Sequence, residues 1–319
     1  MTDRLIAYVT DAGYIVPSLV SAQQVSRTAA ADLADIIIFT VGLDPELVDY
    51  IGSTEAFARI RIIPIDAKKY APTSNVYFEQ GHVPQATLGR LVLSDYIPAQ
   101  YEHIIYIDGD TQVVGDISPL IAYDVPQGKI AAANESFFLE EDQTQSRLQY
   151  LANLGLHDPG QYFNAGVLSF RKDTWSAIGP RALEYFLQNP QICLFHDQSA
   201  LNAICRDLRV AISPLYNFHT GFAELQVSGK HRPRIVHFTG SEKPWNYQAW
   251  PWPLAYYKPY HAVMKGGKFD NVFRITPASR AKYLSRSFHK ADKYKSQFKN
   301  MIGRRGRLLK YLEESNFPF

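Results

Sequence analysis

His103-Ile104-Ile105-Tyr106-Ile107-Asp108-Gly109-Asp110 is a short apolar run that ends abruptly in two acids with a glycine between them. A run of this length reads as a buried strand, as found in mostly parallel sheets. In open α/β sheets, ligands sit outside the carboxyl ends of the strands. The run therefore delivers two carboxylates to the place where such folds bind things. Gly109 lets the backbone turn there or approach a ligand closely. Paired hard oxygens suit Mg²⁺ or Mn²⁺, and such an ion suits a diphosphate. The competing reading is a strand followed by a plain Asp-Gly turn.

On the N-terminal side, Leu5–Val9, Ile36–Val41 and Arg59–Ile65 read as three further strands. A helical segment reaches about Ala31, with Pro17 near its first turn. A second runs from Asp44-Pro45-Glu46 to about Phe57. This alternation predicts a parallel, Rossmann-like sheet. No G-x-G-x-x-G follows the first strand, which argues against a dinucleotide cofactor. The loop 71–82 and a helix from Pro84 to Tyr96, carrying Arg90, lead into the opening stretch.

On the C-terminal side, Thr111–Val114 reads as a short strand, Asp116–Leu120 as a turn, Lys129–Ala133 as a strand and Glu140–Leu154 as a polar helix. Tyr162–Phe170 is a buried strand carrying Asn164 and Gly166. A buried asparagine needs partners, either a ligand or a structural contact at a bulge. Lys172–Gln188 is helical. His196-Asp197-Gln198 opens another helix, where Asp197 suits a first-turn acid and Gln198 has no evident structural duty. Ile235–Phe238 is the last clear strand. Its His237 fits either a core histidine or a metal ligand, with Lys243 five residues beyond Phe238. Trp245–Tyr260, dense in aromatics and prolines, reads as extended and packed, or as an interfacial patch.

The 319 residues suffice for one large domain with appendages, at 46% apolar and 20% charged. Two cysteines, Cys193 and Cys205, give no disulfide framework and suit a reducing compartment. The chain opens directly into a strand, without a signal-like segment, and has no apolar stretch of spanning length. The net charge of +2 hides an asymmetry. Residues 274–310 hold twelve Lys/Arg against one acid, Asp292, hence +11; the remaining 21 basic and 30 acidic residues leave −9. Leu284, Phe288, Ala291, Phe298 and Ile302 fall on one helical face of this tail, with Tyr294 beside them. Such a basic amphipathic segment suits an anionic membrane surface, or packing on the acidic body. No motif accompanies the charge that would point to nucleic acid.

Four segments stand in order: Asp108-Gly109-Asp110, Phe163-Asn164-Ala165-Gly166-Val167, His196-Asp197-Gln198, and His237-Phe238-Thr239-Gly240 with Lys243-Pro244-Trp245. Together they resemble glycosyltransferase family 8, the group of glycogenin and the bacterial lipopolysaccharide galactosyl- and glucosyltransferases, over about residues 4–250. The resemblance implies a GT-A fold in residues 1–260, a UDP-galactose or UDP-glucose donor, Mn²⁺ (or Mg²⁺), and retention at the anomeric carbon. Asp108, Asp110 and His237 then match metal ligands. Gly240 and Lys243 match diphosphate contacts. Thr10, Asp11 and Tyr14 match the nucleoside-holding segment, and Arg90, Gly109, Asn164, Ala165, Asp197 and Gln198 match positions around the donor. Asp197 and Gln198 are the catalytic candidates. Residues 261–319 would be a membrane-docking segment of the lipopolysaccharide type. The implied enzyme adds a hexose to a glycolipid, lipopolysaccharide or other glycan acceptor, working in the cytoplasm on the inner face of the cell membrane. Self-glucosylation of the glycogenin kind, and a non-catalytic sugar-nucleotide-binding protein, are the alternatives. A nucleotidyltransferase would need a Gly-rich loop after the first strand, and Thr10-Asp11-Ala12-Gly13 is not one.

Overall fold

A computed structural model describes residues 2–69, 85–227, 229–295 and 298–319. The loop 71–82 and Pro84 lie outside the described residues. The strands are β1 (Arg4–Asp11), β2 (Asp35–Val41), β3 (Ile60–Ile65), β4 (His103–Ile107), β5 (Thr111–Val113), β6 (Ile130–Asn134), β7 (Phe163–Arg171), β8 (Arg209–Ala211), β9 (Phe218–His219) and β10 (Ile235–His237). Seven form one sheet in the order β3-β2-β1-β4-β7-β6-β8, and β5-β10-β9 form a small second sheet. The β1–β2, β2–β3, β1–β4 and β6–β8 pairs are parallel, while β7 runs antiparallel to both its neighbours. The sheet is thus mostly parallel, as the strand–helix alternation predicts.

Burial on both faces explains the near-continuous apolar strands. In β1, Ile6 and Tyr8 enter one core cluster while Leu5, Ala7 and Val9 enter the other. That two-residue alternation marks a sheet sandwiched between helical layers.

The helices are α1 (Ile15–Ser26), α2 (Pro45–Ser53), α3 (Gln85–Gly89), α4 (Ser118–Ala122), α5 (Gln145–Asn153), α6 (Lys172–Gln188), α7 (His196–Cys205), α8 (Thr220–Ala223), α9 (Lys258–Met264), α10 (Arg280–Tyr294) and α11 (Phe298–Glu314). Several differ from their sequence-based extents. α1 stops at Ser26 and α2 at Ser53, each followed by a separate 3₁₀ turn (Ala29–Asp32 and Glu55–Phe57). The Pro84–Tyr96 helix tightens into a 3₁₀ segment at Arg90–Asp95. The polar helix begins at Gln145 rather than Glu140, because the Thr144 side chain caps the Arg147 N–H. Asp116–Leu120 leads into the short α4 rather than a simple turn; Pro119 sits in its first turn, where proline is tolerated. Trp245–Tyr260 is not extended throughout, since Leu254–Tyr257 and α9 are helical.

The tail is two helices. α11 docks on the body: Leu308 is fully buried and joins a cluster with Phe222, Phe238 and Trp252. Burying one leucine is worth about 1.5–3 kcal/mol. Arg307 Nε donates to the Leu139 carbonyl at 2.7 Å, Tyr311 Oη to Asn134 Oδ1 at 2.8 Å, and Arg304 pairs with Glu140 at 3.2 Å. The acidic body therefore receives part of the basic tail. Leu284, Phe288, Phe298 and Ile302 remain exposed, at 45–72%.

Candidate active site

The Asp108-Gly109-Asp110 step is where the chain leaves the large sheet for the small one. Asp108 N–H donates to the Gly166 carbonyl of β7 at 2.8 Å, and Phe238 N–H donates to the Asp110 carbonyl at 2.9 Å. β5 pairs antiparallel with β10, placing Thr111 opposite His237. Pairing thus puts a histidine 127 residues away beside the two acids. His237 Nε2 lies 3.2 Å from Asp110 Oδ1 and 3.7 Å from Asp108 Oδ2. The donor atoms of the three residues all lie within 4.8 Å of one another. Two carboxylates and an imidazole in that space are a donor set that fits Mn²⁺. A second such group among the described residues, Asp3, Glu102 and His103, lies by the other ends of β1 and β4, with both acids exposed.

Glycines make the arrangement possible at two points. A Cβ on Gly166 would fall 2.2 Å from His237 Cε1, so only glycine leaves room for the imidazole. A Cβ on Gly109 would fall 2.3 Å from Ser18 Oγ of α1. Gly109 therefore serves the close passage of this step over α1.

Lys243 Nζ is 2.5 Å from Asp110 Oδ2 and also donates to the Phe238 carbonyl. Burial alone would push the Asp110 carboxyl up, but the Lys243 ammonium, and then His237, outweigh it and hold the carboxyl well below its ordinary value. Burial likewise opposes the Lys243 charge, and Asp110 more than restores it, so the ammonium titrates above its ordinary range.

On the other flank, Arg90 binds three groups at once. Its Nε is 2.5 Å from Asp197 Oδ2, its Nη1 is 3.3 Å from Asp108 Oδ1, and Nη1 donates to the Ala165 carbonyl at 2.6 Å. It lies over the Tyr106 ring, whose hydroxyl donates to Asp108 Oδ1 at 2.6 Å. Asp197 is therefore more than a first-turn acid of α7: it is buried and ion-paired beside the metal-type cluster. Gln198 does have a structural duty, contrary to the sequence reading. Its Oε1 accepts from Ala165 N–H at 3.0 Å and its Nε2 donates to Tyr162 Oη at 3.4 Å. Burial pushes the Asp197 carboxyl up to about 6, with Arg90 drawing it back toward the ionised form. Its protonation window therefore lies above the ordinary ~3.9 of aspartate. We expect kcat/KM to fall as pH drops through about 6. A pH–rate profile in which Asp197→Asn keeps the same acid limb would contradict this.

Thr10, Asp11, Tyr14, Arg90, Asp108 and Gly109 line one cavity of about 280 Å³. Asp11 Oδ1 accepts from Tyr14 N–H, and the Tyr14 ring stands edge-on to Trp245 at 5.9 Å. The last strand's loop continues into a second cavity of about 550 Å³, between Thr239-Gly240-Ser241-Glu242 and the α10 residues His289, Lys290 and Tyr294. Gly240 lies on the wall of this second cavity, not in the one lined by Thr10, Asp11 and Tyr14.

Sequence reasoning missed Glu135, Asn217, His219 and Tyr106. Asn164 donates to Glu135 Oε2 at 2.9 Å and Asn217 donates to Asn164 Oδ1 at 2.8 Å. Asn217 and Glu135 lie in short, irregular stretches where no periodicity marks them, while Tyr106 passes as a strand residue.

A mostly parallel α/β sheet with a D-x-D step at a strand's carboxyl end, facing a histidine and a lysine, defines the GT-A class of glycosyltransferase. A sequence model of glycosyl transferase family 8 matches residues 5–249, and the chain belongs to that family. Among curated relatives, it is 29% identical over 205 residues to general stress protein A of Bacillus subtilis, covering 59% of this chain and 67% of that protein. It is 25% identical over 225 residues to the lipopolysaccharide glucosyltransferase WaaO of Escherichia coli, covering 67% of this chain and 64% of that one. The fold superimposes on the galactosyltransferase LgtC, solved with donor and acceptor sugar analogues, with a TM-score of 0.63 at 19% identity, covering 87% of this chain and 98% of that chain.

Proposed function

We propose that this glycosyltransferase is a retaining, Mn²⁺-dependent hexosyltransferase that moves galactose or glucose from a UDP-sugar to a glycolipid or lipopolysaccharide-type acceptor. The observation that carries this reading is the convergence of Asp108, Asp110 and His237, with both acids lining one cavity together with Thr10, Asp11 and Tyr14. Asp108, Asp110 and His237 would hold the ion, which would supply Lewis-acid neutralisation of the charge building on the departing UDP. Thr10 and Asp11 contact the nucleoside and Tyr14 stacks on the base. Lys243 exchanges its Asp110 contact for the diphosphate, where lysine acts as a point charge, and Gly240 brings the backbone alongside it. Asn164 and Ala165, buried and hydrogen-bonded internally, support the donor-sugar side beside Asp197 from behind.

Asp197 has one carboxylate oxygen clamped by Arg90, and Gln198 spends its carbonyl on the strand. The engaged Gln198 amide is no nucleophile, and the Arg90 pairing draws on the charge of the Asp197 carboxylate, which supports front-face attack. The C1–O bond to UDP breaks, the acceptor oxygen bonds to C1 on the same face, and the acceptor proton passes to the leaving β-phosphate oxygen. Arg90–Asp197 then orients sugar hydroxyls. A glycosyl adduct on Asp197 found by mass spectrometry would overturn this route.

The acceptor would occupy the cavity between Gly240 and α10. Residues 261–319 dock on an anionic membrane through Leu284, Phe288, Phe298 and Ile302, among lysines and arginines. Among the described residues no helix is long and apolar enough to cross a membrane, so association would be peripheral. Each basic residue near an anionic surface adds about 1 kcal/mol. We expect the protein to sediment with vesicles containing phosphatidylglycerol and not with pure phosphatidylcholine. The pair Phe288→Glu and Phe298→Glu should weaken vesicle binding about tenfold or more while UDP-sugar hydrolysis is kept. Equal sedimentation of wild type and variant would contradict the docking role.

The function itself is tested by incubating the protein with UDP-sugar, Mn²⁺ and extracted glycolipid. A hexose-sized mass gain on the lipid supports it. A gain on the protein would indicate self-glucosylation, and UDP-sugar binding with no transfer or hydrolysis would indicate a binding protein.

A further inference from the structure

We propose that Asn217, held by Asn164 and Glu135, fixes the tautomer of His237 so that Nε2 presents its lone pair to the metal-type cluster. The inference rests on the reading of His237 as a ligand, but Asn217 and Glu135 take no part in that reading. Four side chains form an unbroken buried chain. Glu135 Oε2 accepts from Asn164 Nδ2 at 2.9 Å, Asn164 Oδ1 accepts from Asn217 Nδ2 at 2.8 Å, and Asn217 Oδ1 lies 2.9 Å from His237 Nδ1. Asn217 is fully buried, and Asn164 and His237 are nearly so.

The direction of every bond follows from the ends. An ionised carboxylate accepts only, so Asn164 must turn its NH₂ toward Glu135. The Gly166 N–H donates only, and it lies 2.9 Å from the other end of that amide, which must therefore be oxygen. Asn164 is thus oriented twice over. Its oxygen then faces Asn217, which must turn its own NH₂ inward and its oxygen outward. The group left opposite that oxygen is His237 Nδ1, which must carry the proton. Nε2 is then the nitrogen turned toward Asp108 and Asp110, and the one whose lone pair is available to an ion held there. Metal-binding histidines are commonly oriented by a carboxylate or carbonyl on the distal nitrogen. Here the carboxylate acts at a distance, through two amides. His219 Nε2 lies 3.1 Å from Glu135 Oε1, and His219 Nδ1 accepts from Gly221 N–H at 3.2 Å, which places the far carboxylate oxygen as well.

Two readouts test this without using turnover. In ¹⁵N-histidine-labelled, metal-free wild-type protein, long-range ¹H–¹⁵N correlation should show a proton on His237 Nδ1, assigned against His237→Gln. Asn217→Leu, close in shape but without hydrogen bonds, should lose that preference. It should bind Mn²⁺ alone, read from the free-ion electron paramagnetic resonance signal, ten- to a hundredfold more weakly. Asn217→Asp keeps an acceptor opposite Nδ1 and should keep the proton there, while losing the bond to Asn164 Oδ1. A role confined to packing would lower the melting temperature of Asn217→Leu and leave tautomer and Mn²⁺ affinity unchanged. That result, or a His237 Nδ1 without a proton in the wild type, would overturn the proposal, and the wild-type spectrum decides it even if Asn217→Leu does not fold. Failure of the wild type to bind Mn²⁺ at all, with the Nδ1–H form intact, would instead overturn the metal reading on which the proposal rests.

Discussion

Asp110→Ala is expected to abolish Mn²⁺-dependent UDP binding, and not turnover alone. Asp110 is the group shared by His237, at 3.2 Å, and Lys243, at 2.5 Å. Removing it takes a carboxylate from the metal-type cluster and leaves a buried ammonium without its main counter-charge. Metal-borne charge stabilisation is worth several kcal/mol, and each 1.36 kcal/mol is tenfold in rate. A loss of about 10³-fold or more in kcat/KM follows. Calorimetry of UDP binding with and without Mn²⁺ separates the two effects. If the Mn²⁺ enhancement of UDP affinity survives in Asp110→Ala, the carboxylate is not a ligand.

Gly166→Ala should be nearly as damaging, although it adds one methyl group and removes no functional atom. The new Cβ would meet His237 Cε1 at 2.2 Å and Nδ1 at 2.5 Å. Either the imidazole moves or β7 does, and β7 is hydrogen-bonded to Asp108 through the Gly166 carbonyl. Overpacking of this kind costs about 1–3 kcal/mol of stability. A 1 Å misplacement of a reacting constellation can cost about 10²-fold in rate. We expect a fall of that order in kcat, with Mn²⁺ affinity falling in parallel. Wild-type Mn²⁺ affinity in a folded Gly166→Ala protein would show that His237 is not held by the space this glycine leaves.

The opening stretch was legible because its information is local. An apolar run, two acids and a glycine specify a strand end, and the neighbouring strand–helix rhythm decides between a plain turn and the ligand-binding end of a sheet. The β1 to β3 rhythm was legible for the same reason. β8, β9 and the pairing of β5 with β10 were not, because two- and three-residue strands carry no periodicity and gain their stability from the partner strand. His237 was legible as a candidate, but its neighbours were not. Asn217 reaches Asn164 across 53 residues and Asn164 reaches Glu135 across 29, so no spacing in the chain announces the contact. Gln198 shows the converse error. A polar residue without a local role looked free for a ligand, and a backbone amide 33 residues earlier had already engaged it. The tail divided in the same way: its amphipathic face was visible, whereas the docking of Leu308 and Tyr311 on the body depends on surfaces assembled only in the fold.

Use of a UDP-hexose at this site with the help of a divalent ion, as proposed, can be read from UDP release across a panel of UDP-sugars, with Mn²⁺ and with the ion chelated, since slow hydrolysis requires no acceptor. Mn²⁺-dependent release from UDP-galactose or UDP-glucose is expected, and it should be lost in Asp110→Ala. Release that is indifferent to the ion, or none from any UDP-hexose, would overturn the proposed function.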